Sequence, residues 1–76
     1  MNDYEKAVRT EVQIERGKTM KWLAEEVNRE AGLRIDNSYL AKVLSGKVGS
    51  VAVVTAIEAI LGVAVPDGYG RGGFKG

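Results

Sequence analysis

The 76-residue sequence contains no cysteine and no histidine. Without cysteine there are no disulfides and no thiolate metal sites, which fits a reducing, cytoplasmic setting. Without histidine, the usual zinc ligand and the usual neutral-pH general base are both missing. No acid, base and nucleophile converge in any motif. The expectation is therefore a protein that is not an enzyme and uses no metal, no cofactor and no small-molecule substrate. Long apolar runs are absent as well. The most apolar stretch, residues 48–65, holds Glu58, Gly49 and Gly62, meets the lone proline at Pro66, and is too interrupted to span a membrane. The first six residues are polar, unlike a signal peptide.

What is present suits one small helical domain. At 45% hydrophobic residues the chain can fill a single modest core but not two lobes with a cleft. Asn2 and Glu5 have the spacing of a capping box and open a first helix with Tyr4, Ala7, Val8 and Val12 inward, closed by Gly17. Thr19 caps a second, with Trp22, Leu23, Val27 and Ala31 inward, Ala24 small enough for close helix approach, and Gly32 as its end. Leu33 and Ile35 tuck under the domain before a third helix. Ser50 caps a fourth over residues 51–61, stopped by Gly62. Its β-branched residues admit a strand, but its length and alanines favour a helix. Gly17, Gly32, Gly46 and Gly62 recur about every 15 residues, the length of a helix plus its turn. The domain is assigned to residues 1–66. Residues 67–76, half of them glycine, form a flexible tail whose Arg71-Gly72-Gly73-Phe74 is either an isolated nucleic-acid-binding element or a plain linker.

Residues 36–46 are the centre of the reading. Asp36 is a good N-cap, Leu40, Val43 and Leu44 fall on one helical face, and Gly46 supplies a left-handed stop. The other face carries Asn37, Ser38, Ala41, Lys42 and Ser45, with no acid among them. The net charge is only +1, yet residues 31–50 carry Arg34, Lys42 and Lys47 against the single acid Asp36. Short polar side chains on a helix backed by apolar ones suit the DNA major groove.

The pattern Thr19-x-x-x-Leu23-Ala24, then Gly32 and an apolar residue, then Asp36-x-x-x-Leu40-x-x-Val43-x-x-Gly46, then a helix ending Leu61-Gly62-Val63, resembles the Cro/repressor-type helix-turn-helix, or XRE, family. The resemblance covers residues 17–63. It implies an all-α, compact four-helix, lambda-repressor-like domain that binds double-stranded DNA sequence-specifically, usually as a dimer. The implied role is a transcriptional regulator of phage or mobile-element type. Three departures stand out. Extra residues near Asn28-Arg29-Glu30-Ala31 lengthen the second helix or its turn, Met20 stands where a backbone-contacting glutamine is frequent, and Leu44 replaces a frequent glutamate.

By this resemblance Asn37, Ser38, Ala41 and Lys42 face base edges. Asn pairs with adenine, Ser donates or accepts, and Ala meets the thymine methyl. Thr19, Lys21, Tyr39, Ser45, Lys47 and Ser50 hold the phosphate backbone. Each has a plainer reading. Asn37 and Ser38 assist the Asp36 cap, Lys42 and Lys47 are solvated surface lysines, and Tyr39 plugs the core edge. Trp22 reads as core rather than as a stacking platform, and the adjacent Glu25 and Glu26 as solvated rather than catalytic. The alternative function is a protein–protein interaction module. Its warrant is the fourth helix, where Val53 and Ala56 lie off the Val54/Ile57/Leu61 stripe. The same surface is the expected homodimer face.

Overall fold

Asn2, Thr19, Asp36 and Ser50 cap the four α-helices of the computed structural model, which describes residues 2–67 and residue 69. The helices are α1 (Asp3–Arg9), α2 (Met20–Ala31), α3 (Asn37–Leu44) and α4 (Val51–Leu61). In each, a side-chain oxygen of the cap accepts an otherwise unpaired first-turn amide. The donors are Glu5 at 2.7 Å, Trp22 at 3.0 Å, Tyr39 at 2.8 Å and Val53 at 3.2 Å. Such a cap contributes about 1 kcal/mol. Only half of the expected capping box forms at α1, because the Glu5 carboxylate pairs instead with Arg9 at 3.1 Å. All four punctuating glycines have positive φ.

The first helix departs from the expected single run up to Gly17. α1 gives way at Thr10 to a π-helical segment, Thr10–Glu15. Tyr4, Val8 and Val12 remain buried at four-residue spacing, whereas Ala7 is exposed on the flank and Ile14 is 73% exposed. A π-turn takes in an extra residue per turn, so it rotates the side chains after it away from the α-helical stripe.

The core is formed by Tyr4, Val8 and Val12, by Leu23, Ala24 and Val27 of α2, by Leu40, Val43 and Leu44 of α3, and by much of α4. α4 packs chiefly against α2 and also meets α3. Covered on two sides, it buries Val53 and Ala56 along with Val54, Ile57 and Leu61. Val53 and Ala56 are therefore core residues, and the outward-facing role expected of them is not met. Trp22 and Ala31 are only partly buried at the core's edge, as are Leu33, Ile35, Val63 and Val65. Lys18 stands over the Trp22 ring at 6.0 Å from its centroid.

Tyr69, assigned by the sequence reading to the tail, is buried, with its ring centroid 4.7 Å from that of Tyr4. The packed chain thus reaches beyond Pro66. Gly68 and residues 70–76, including Arg71 and Phe74, lie outside the described residues. Among the described residues there is no strand, and no helix is long and apolar enough to cross a membrane.

Candidate nucleic-acid interface

α3 turns its apolar side inward and its polar side outward. Leu40, Val43 and Leu44 are 1% exposed or less, while Asn37, Ser38 and Lys42 are exposed and Ala41 is half-buried. The spacing explains this. Positions 40, 43 and 44 fall on one stripe of a 3.6-residue helix, with 38 and 42 opposite and 41 on the flank; Asn37 is in line with 40 and 44 but is exposed as the first residue of the helix. At the far end, Gly46 adopts φ +83°, which lets its amide donate to the carbonyl of Val43 at 3.1 Å and the Lys47 amide donate to that of Lys42 at 2.9 Å. A residue with a Cβ is strained at that angle, so glycine fits the position.

The join between α2 and α3 is tied by a residue the sequence reading did not single out for a role. Asn28 Oδ1 accepts from the Ile35 amide at 2.8 Å, and Asn28 Nδ2 donates to the Ile35 carbonyl at 3.0 Å. Gly32, at φ +67°, ends α2, and the Leu33 amide donates to the Asn28 carbonyl at 3.1 Å. The longer α2-to-α3 segment is thereby folded back onto α2. Both polar groups of a partly buried Asn matched to one backbone residue is a weak signal in sequence, because it becomes visible only once the turn is formed.

Two open concavities flank the start of α3. One, of about 430 Å³, is lined by Lys21, Ala24, Glu25, Asn28, Ile35, Asp36, Asn37 and Ser38. The other, of about 440 Å³, is lined by Arg34, Ile35, Asp36, Ser38, Tyr39 and Lys42. Ile35, Asp36 and Ser38 line both. The fold thus brings Lys21 to Asn37 and Ser38, and Arg34 to Tyr39 and Lys42. Tyr39 takes an intermediate position, half-buried against the core yet lining the second concavity. Thr19, Ser45, Lys47 and Ser50 line neither.

Among these outlying groups, Ser45 Oγ donates to the Lys42 carbonyl at 3.1 Å, so its hydrogen is already used. Thr19 and Ser50 accept as caps and keep their hydroxyl hydrogens for an outside acceptor. Met20 is partly buried against the core, so it offers the interface no polar contact. Leu44 is fully buried, as its place in the α3 stripe requires.

The charges divide by region. Glu5–Arg9, Glu11–Arg16 and Glu26–Arg29 form ion pairs at 3.0–3.1 Å, all before the α2–α3 join. Among the described residues, Lys21, Arg34, Lys42 and Lys47 have no carboxylate within 4.0 Å. Exposed pairs contribute little stability, about 0–1 kcal/mol each. Lys6 and Lys18 and the acids Asp3, Glu15, Glu25 and Glu30 also stand outside these pairs, so the part around α3 is set apart by its excess of basic over acidic residues, Arg34, Lys42 and Lys47 against Asp36. Two acids still face the first concavity. Asp36 lines it while capping α3, and Glu25, read as merely solvated, lines it together with Lys21 and Asn37. The Lys21, Glu25, Asn28 spacing puts all three on one side of α2, but only the docked α3 makes that side a wall of the groove.

No family model matches this chain, and no curated protein or solved structure matches it.

Proposed function

We infer that this chain binds double-stranded DNA with sequence preference through α3, as a helix-turn-helix domain of the lambda-repressor type acting in transcriptional regulation. The observation that carries this reading is the outward side of α3. Asn37, Ser38 and Lys42 are exposed on a helix backed by fully buried side chains, beside Lys21 and Arg34, which have no ion-pair partner among the described residues. Asn37, Ser38 and Ala41 supply base-edge contacts and Lys42 a base or phosphate contact. Lys21, Arg34, Tyr39, Lys47 and the hydroxyls of Thr19 and Ser50 supply backbone contacts. Glu25 disfavours close phosphate approach on the α2 side and so biases contact toward the Arg34 and Lys42 side.

The described residues extend 30 Å along their longest axis, less than the roughly 34 Å between successive major-groove faces. One copy therefore addresses one half-site, and a pseudo-palindromic operator calls for a dimer. The outward residues of α4, Val51, Ala52, Thr55 and Ala59, are the candidate dimer face, and Val51 is 57% exposed. The same face supports the second reading, a protein-interaction module without DNA readout.

Selection of duplexes from a random pool, followed by titration at two salt concentrations, tests the first reading. Each phosphate contact lowers the affinity in salt, with a slope of about −0.9 per contact. Reversing Lys42 and Lys47 to Glu should abolish duplex binding and leave any α4-mediated association unchanged. Equal affinity for selected and scrambled duplexes would exclude the DNA reading.

A further inference from the structure

The carbonyl of Leu44 lies in the last turn of α3, where no helical amide reaches it. Its neighbours are satisfied locally, Lys42 by the amide of Lys47 and Val43 by that of Gly46. Leu44 is satisfied from far along the chain. Its carbonyl accepts from Asn2 Nδ2 at 3.1 Å and from the hydroxyl of Tyr69. Asn2 Nδ2 also donates to Tyr69 Oη at 2.9 Å, which closes a triangle. Asn2 uses both amide hydrogens here while its oxygen caps α1, and the Tyr69 hydroxyl both donates to Leu44 and accepts from Asn2. The Tyr69 ring is held in turn against Tyr4.

We propose that this triangle positions the C-terminal end of α3, making Asn2 and Tyr69 positioning residues for whatever α3 reads. α3 has eight residues, too few to hold its own geometry as an isolated helix. Its N-terminal end is tied through Asn28 to Ile35, and its C-terminal end is tied through Leu44 to the segments preceding α1 and following α4. A reading surface has to be held to within about 0.5 Å, which two fixed ends provide and one does not. The consequence for DNA preference rests on the DNA-binding reading above. The positioning itself does not.

Two conservative variants of the full chain separate this role from simple core packing. Tyr69→Phe keeps the ring against Tyr4 and removes the hydroxyl. Asn2→Asp keeps an acceptor for the α1 cap and removes the amide donor. In each, the amides of Gly46 and Lys47 should exchange with solvent about fivefold faster, the worth of one ordinary hydrogen bond, while α2 amides keep their rates. The preference for the selected over the scrambled duplex should fall several-fold with an unchanged salt slope, because no phosphate contact has been removed. Native exchange at Gly46 and Lys47, or equal acceleration throughout α2 and α3, would overturn the proposal. So would faster exchange at those amides with duplex preference intact. If the unmodified chain prefers no duplex, the DNA reading fails, and the exchange measurement alone decides whether the triangle positions α3.

Discussion

α3 and α4 are built alike and finish with opposite roles. Each starts on a side-chain oxygen, of Asp36 or Ser50, and stops at a glycine with positive φ, Gly46 or Gly62. α4 buries Val53, Val54, Ala56, Ile57 and Leu61, and its outward residues are mostly small or apolar. α3 buries three residues and keeps a polar side. The difference teaches that coverage by neighbours, more than helix-forming tendency, assigns the task. Both helices meet α2 and each other, but α4 packs far more extensively against α2 and becomes scaffold, whereas the more lightly covered α3 keeps an exposed polar side.

The largest break in that contrast comes at Ile57, which is fully buried in α4. Ile57→Ala should cost about 2–5 kcal/mol in denaturant unfolding, a large part of the total for so small a domain. Asn28→Ala should cost less, about 1–3 kcal/mol, by leaving the Ile35 amide and carbonyl without their partner. Because that change frees the join to α3, duplex preference should suffer out of proportion to the stability lost. A variant that loses stability but keeps its preference would show that the join does not orient α3. Asn37→Ala sharpens the contrast from the other side. Unfolding should shift by no more than about 0.5 kcal/mol, while discrimination at one base position falls by about 1–3 kcal/mol in competition titrations.

The smallest effect is expected at Tyr4. Its hydroxyl is buried without a hydrogen-bond partner among the described residues, and burial pushes its pKa well above the ordinary tyrosine value of 10.0, with Tyr69 and Glu58 adding to the shift. The folded protein therefore keeps this proton at a pH where the unfolded chain has lost it. Stability should be intact below pH about 10 and fall above it by about 1.4 kcal/mol per pH unit for this group. Tyr4→Phe should be neutral or slightly stabilising at pH 7 and should flatten that alkaline decline, as read from unfolding midpoints between pH 9 and 11. A decline as steep as that of the unmodified protein would assign it to other groups.

Much of the fold was readable from residues in order. Asn2, Thr19, Asp36 and Ser50 announce helix starts, and Gly17, Gly32, Gly46 and Gly62 announce stops, because a cap bond or a positive φ depends on only a few neighbouring residues. The outward placement of Ser38 and Lys42 on α3 was readable for a similar reason, since helical periodicity is local, whereas that of Asn37 comes from its place at the start of the helix. The π-helical segment was not, because residues 10–15 carry no residue type that marks it. Nor was the burial of Val53, Ala56 and Tyr69. Whether an apolar side chain ends inside depends on what lies against it, and α2 and Tyr4 are remote in sequence from the residues they cover. The same holds for Glu25, an ordinary surface acid until α3 closes the groove beside it.

Local chemistry alone specified four helix starts, the ends of the last three helices and the polar tips of α3. Packing in three dimensions specified which sides of α4 are hidden, how Asn28 bridles the connector, and that Asn2 and Tyr69 meet at Leu44. The reason is range. Capping and dihedral preferences act within a turn, whereas burial and the satisfaction of a stray carbonyl are decided by segments up to 67 residues apart.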